Sequence, residues 1–206
     1  MKHDDFPTGD VTDYDTARGE LRTGDLMFCS GTSWTSTLIQ RATNSCWSHV
    51  ALIVRLEEID RVIVLESVES VGVRAFPLSK YVKGGYKPGK PYPGGIVIAR
   101  HDDIPGRLGQ GLMGIFGQSA VDLFGHAYDH VEIARIAVRI AVYRNSDKGF
   151  TAGLKQDDEY ICSEYVYKCL SGLKIHIDIG ERDFITPADF AADEKVRFKY
   201  LLKSRD

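Results

Sequence analysis

The 206-residue chain lacks any uninterrupted apolar run of the length a membrane span requires, so no transmembrane helix is expected. Its start, MKHDDFPTGD, lacks the apolar core of a secretory leader, and a cytoplasmic location follows as the default expectation. Positive charge is not in excess: the formal net charge is -3, which argues against general nucleic-acid binding, because that needs a surface able to neutralise phosphates. Cysteine is scarce, with four residues at 29, 46, 162 and 169, too scattered for the disulfide framework of a small secreted domain. Cys46 and His49 are closely spaced, but no second short-spaced pair follows, so neither a metal nor another cofactor is expected. The Gly/Pro-rich stretch GGYKPGKPYPGG lacks the Gly-Lys-Ser/Thr ending of a phosphate loop, and the Gly-x-Ser-x-Gly elbow is absent, which removes Ser163 as a rival nucleophile.

What is present suits a soluble globular domain. Residues 1–20 read as a polar arm laid over the surface, and residues 21–206 as one domain. Buried strands are expected at Asp25 to Ser30 and Ile96 to Arg100, with a helix from Ser33 to Ala42. Ser48 to Leu56 and Arg61 to Val68, rich in β-branched residues around the polar turn Glu57-Glu58-Ile59-Asp60, read as a hairpin. A tight turn with Leu56 facing Ile59 would set His49 directly opposite Glu66. Residues 69–95 contain the Gly/Pro-rich loop GGYKPGKPYPGG, which reads as a surface connection. Helical spacing returns over 104–124, Val131 to Tyr143 and Ile161 to Leu173, and Ile185 to Phe190 reads as a turn into a short closing helix.

Two residues suggest chemistry. Cys162 falls at a helix start, where unpaired N–H groups and the helix dipole favour a thiolate and can hold a developing oxyanion. The plain alternative is a small buried hydrophobe, the usual fate of a free cysteine. His49 marks the polar end of an apolar strand, where a side chain can face a cleft, and Glu66, following the run Val62 to Leu65, needs a partner if buried. A carboxylate that orients an imidazole, whose other nitrogen faces a thiol, is the arrangement of a cysteine hydrolase.

The ordered segments LRTGDLMF (21–28), SHVALIV (48–54), VLESV followed by GV (64–68, 72–73), AYD (127–129), ICSEYV (161–166) and ITPADF (185–190) resemble the circularly permuted NlpC-type papain-like cysteine hydrolases, the YiiX/YebB-like group. There the histidine strand precedes the cysteine helix, as it does here. The resemblance implies a papain-like α+β fold, with an antiparallel sheet against the helix of the nucleophile. It further implies Cys162 as nucleophile, His49 as base and Glu66 as orienting carboxylate. Tyr128 and Ser163 match as auxiliary or substrate-binding residues, and Tyr128 is expected at the edge of the site. The expected activity is cleavage of an amide or ester through a thioester on Cys162, in a small-molecule, peptide or lipid-conjugate substrate. Acyl transfer of the lecithin:retinol acyltransferase-like type and a non-catalytic binding module are the alternatives. The glycine-interleaved segment 101–126 has two readings: a helix packed closely on the sheet, or an apolar flank of the cleft displaying Leu112 or Phe116.

Overall fold

The hairpin organises the molecule. In the computed structural model, which describes residues 6–127, 161–182 and 184–205, β2 (His49–Leu56) and β3 (Arg61–Val68) are joined by a 3-10 turn, Glu57–Ile59, closed by Asp60 in the left-handed region at φ 49°. The extra turn residue matters for the site. Leu56 pairs with Arg61 instead of Ile59, and Leu52 with Leu65, so the register lies two residues from the expected one. Glu66 falls in step with Ala51 and diagonal to His49, not directly opposite it. Because strand side chains alternate with period two, an even shift keeps both residues on the same face, and a diagonal pair is within reach of long side chains.

Two further strands extend the hairpin on its outer side and inner side respectively: β4 (Gly72–Pro77) pairs with β3, and β1 (Leu26–Ser30) with β2. Beyond β1 come β5 (Gly95–His101) and β6 (Val196–Lys203), giving a six-stranded antiparallel sheet in the order β4-β3-β2-β1-β5-β6. Both faces are covered, which explains why β1 and the centre of β2 read as continuous apolar runs instead of alternating. One face (Phe28, Val50, Leu52, Val97) packs on α6 (Cys162–Gly172), α5 (Met113–Val121) and α7 (Pro187–Ala192). The other (Met27, Ala51, Ile53, Val64, Ile98) is covered by α1 (Tyr14–Arg18) and α3 (Leu78–Lys83). The helix α2 (Trp34–Thr43) follows β1, starting on Ser33, whose hydroxyl accepts the Ser36 N–H.

Three expectations need correction or refinement. Ahead of the Gly/Pro-rich loop, the stretch 69–83 contains β4 and α3, for which no element is expected from the sequence, and the C-terminal segment adds β6. The arm carries a helix with Tyr14 and Ala17 buried against the sheet. The segment from 104 divides into α4 (Ile104–Arg107), a π-helical turn (Leu108–Leu112) broken by Gly111 at φ +85°, and α5. Phe116 is buried, and a Cβ at Gly172 would lie 2.8 Å from the Ser119 hydroxyl, so glycine lets α6 approach α5 closely. The packed-helix reading therefore holds for Phe116, which is core and does not flank a cleft. The helix expected at Val131 to Tyr143 lies outside the described residues.

Candidate active site

His49 opens β2 at the end of the sheet where α6 begins, so strand and helix deliver their first residues to one place. The His49 side chain is 16% exposed, whereas Glu66 is fully buried. His49 Nε2 lies 2.9 Å from Glu66 Oε2, and the Cys162 sulfur is near enough to the same ring to raise its pKa. With Nε2 committed to the carboxylate, Nδ1 is the nitrogen left for the thiol. Burial alone would push the imidazole toward its neutral form. The Cys162 sulfur and Glu66 outweigh it and raise the His49 pKa from 6.5 to about 10.

A carboxylate with no solvent contact needs full compensation, and Glu66 has it. Arg74, its direct partner across β3 and β4, places Nε 2.9 Å and Nη2 2.8 Å from Oε1, and Tyr81 donates its hydroxyl to Oε2 at 2.6 Å. Burial raises the carboxyl pKa, but His49, Arg74 and Tyr81 together bring it below its ordinary value, so Glu66 stays ionised. Burial and the neighbouring carboxylate push the Tyr81 phenol well up, which keeps it a donor. Neither Arg74 nor Tyr81 is evident from the sequence without β4 and α3. The alternation in Gly72 to Pro77 was the available signal, and it places Arg74 on the face of Glu66.

The N-cap of α6 is Ile161, which offers no accepting side chain. The N-cap residue therefore supplies no side-chain acceptor to the first-turn N–H groups beside Cys162, which suits an oxyanion site. The Glu164 carboxylate turns back to accept the Ile161 N–H at 3.2 Å, fixing the helix start. Ser163 is fully buried and donates its hydroxyl to the Ile185 carbonyl at 2.7 Å, which ties α6 to the segment leading into α7 and leaves it no exposed surface for a substrate. Cys162 itself is 3% exposed. Tyr128 lies outside the described residues.

Cys29 sits directly across β1 and β2 from His49, fully buried, with its thiol pushed well above the ordinary range by burial. Cys169, two turns along α6, is pushed up to about 12 for the same reason. None of the four cysteines is in a disulfide bond. Among the described residues, no three His, Cys, Asp or Glu side chains converge as a metal ligand set.

A cleft of about 160 Å³ opens beside His49. Its walls carry the hydroxyls of Ser33, Thr35 and Ser36 from the start of α2 and the rings of Tyr81, Tyr86 and Tyr92. These three rings pack on one another with centroids 4.9 to 5.5 Å apart.

No protein-family model matches the chain. No curated protein matches it either. Among solved structures, it is similar to the metalloprotein YiiX from Escherichia coli O157:H7, at 26% identity over 76% of this chain and 68% of that one, with a TM-score of 0.49. Among the described residues, no helix is long and apolar enough to cross a membrane.

Proposed function

We propose that the chain is a cysteine hydrolase of the circularly permuted NlpC-type papain-like kind, cleaving an amide or ester through a thioester on Cys162. The observation that carries this reading is the chain of contacts from Cys162 through His49 to the buried, ionised Glu66. A structural cysteine has no use for an imidazole held in one orientation by a carboxylate that is itself fixed by an arginine and a tyrosine.

In this scheme the Cys162 thiolate attacks the substrate carbonyl carbon, forming a C–S bond. The negative charge that develops on the carbonyl oxygen is held by backbone N–H groups at the start of α6. His49, protonated beside Glu66, gives its Nδ1 proton to the departing amine or alkoxide as that bond breaks. A water molecule then attacks the thioester carbon, His49 takes its proton, and the acid leaves as the thiolate is restored. Glu66 takes no proton at any step; it fixes the ring and stabilises the imidazolium.

The test is an intact-mass screen with acyl esters and amides spanning peptide and lipid headgroups. The native chain should gain the acyl mass on Cys162 and release free acid, while Cys162→Ala gains none. Release of acyl-amine product in place of acid, when an amine is supplied, would mark the site as a transferase. An adduct that persists in Cys162→Ala would contradict the reading.

A further inference from the structure

A second cavity, of about 670 Å³, lies apart from the site above and shares no wall residue with it. It forms where the end of β5, α4, the segment after α6 and the end of α7 meet. At its base sits His101, a titratable side chain only 2% exposed and unused by the proposed chemistry. Its Nδ1 accepts the Asp103 N–H at 3.1 Å, so the ring proton is on Nε2. Nε2 is 3.9 Å from Asp193 Oδ1, too far for a hydrogen bond. Nε2 is therefore a donor turned to the cavity, with no acceptor within hydrogen-bond reach among the described residues.

The charged groups around it divide in an informative way. Four wall carboxylates are already engaged: Asp103 by Lys195 Nζ at 2.7 Å, Asp189 by Arg182, Asp193 by the Lys195 N–H and Asp178 by the Gly180 N–H. The side chains of Arg107, Lys174 and His176, all on the wall, make no hydrogen bond or ion pair among the described residues, and neither does that of Glu194. The uncommitted side chains are thus four donors, at His101, Arg107, Lys174 and His176, and one carboxylate. A simple anion would satisfy the donors but meet five carboxylates against three wall cations. A simple cation would leave the donors unmatched. Desolvation keeps the His101 ring neutral and so a single-proton donor, consistent with an acceptor opposite it.

We propose that this cavity binds a small zwitterion, a molecule with one carboxylate and one ammonium group such as a free amino acid. The carboxylate is received by His101 Nε2–H, Arg107 and Lys174, and the ammonium by Glu194. The site is independent of the hydrolase reading.

The experiment titrates the full-length protein with each of the twenty common amino acids by calorimetry, then repeats the titration with two analogues of the best binder, one lacking the amine and one lacking the carboxylate. At least one amino acid should bind at about 1 mM or tighter. Both analogues should bind at least about tenfold more weakly, the loss expected when a charge-assisted hydrogen bond goes unmade. Arg107→Ala and Glu194→Gln, at side chains with no hydrogen bond or ion pair among the described residues, should keep the native melting temperature and weaken binding by a similar factor. His101→Gln, which retains an N–H donor, should weaken it less than His101→Ala. Binding of no amino acid below about 10 mM, equal binding of the amine-free analogue, or unchanged affinity in both Arg107→Ala and Glu194→Gln would each overturn the proposal.

Discussion

Glu66 is the residue on which the site turns, because three side chains converge on a carboxylate with no water to fall back on. Glu66→Gln keeps the shape but removes the charge, leaving Arg74 facing a neutral amide. Breaking a buried pair in this way should cost about 3 kcal/mol, measurable by urea denaturation. His49, losing one of the two charges that raise its pKa, should titrate lower by NMR. Tyr81→Phe removes one hydrogen bond to the ion and should cost less, about 1.5 to 3 kcal/mol. The pH dependence has a definite sign. The His49 pKa is raised on folding, so its contribution is complete below 6.5 and is lost as pH rises toward about 10. The Glu66 pKa is lowered, so its contribution is present above 4.5 and is lost as pH falls below that. The stability gap between the native chain and His49→Asn should therefore narrow between pH 6.5 and 10. Cys162, His49 and Glu66 were legible in the sequence because each carries a local mark: a helix start, the polar end of an apolar strand, a charge closing an apolar run. Arg74 and Tyr81 carry none, since what distinguishes them is a partner on another element.

At the scale of elements, the turn that introduces β4 is as decisive as the hairpin. Gly72 has φ +80°, and a Cβ there would lie 2.0 Å from the His126 carbonyl oxygen, whose neighbour relation is also a backbone hydrogen bond from Val73 at 2.9 Å. Gly72→Ala meets strain in both conformation and contact, and should cost about 2 kcal/mol or more. In a chain of this length that lowers the melting temperature by roughly 4 to 8 °C. Because β4 carries Arg74, the variant should also raise the mobility of Glu66. The sequence reading found β1, β2, β3 and β5 from their apolar runs. It passed over β4, whose six residues sit among glycines and prolines, and β6, where Arg197, Lys199 and Lys203 guard an exposed edge and dilute the apolar signal. The hairpin itself was found but its turn was read as tight, and the 3-10 turn moved the register by two. Parity, not the precise pairing, is what the site needed.

Across the whole molecule, a sheet covered on both sides puts the candidate site at the end of a core that both layers stabilise. Tyr14, on a helix that the composition of the first twenty residues concealed, closes the layer opposite α6. Tyr14→Ala should cost about 3 kcal/mol or more although it is far along the chain from the site, and a thermal melt would show it. The central claim concerns reactivity, and the four cysteines of one chain supply an internal comparison. Iodoacetamide at near-neutral pH, followed by peptide mass spectrometry of the folded protein, reads the rate at each thiol. Cys162, beside His49 at the start of α6, should be alkylated faster than Cys29, Cys46 and Cys169, and should slow in His49→Ala while the others do not change. Labelling of Cys162 at a rate equal to or below that of the other three, or a rate indifferent to His49→Ala, would contradict the account.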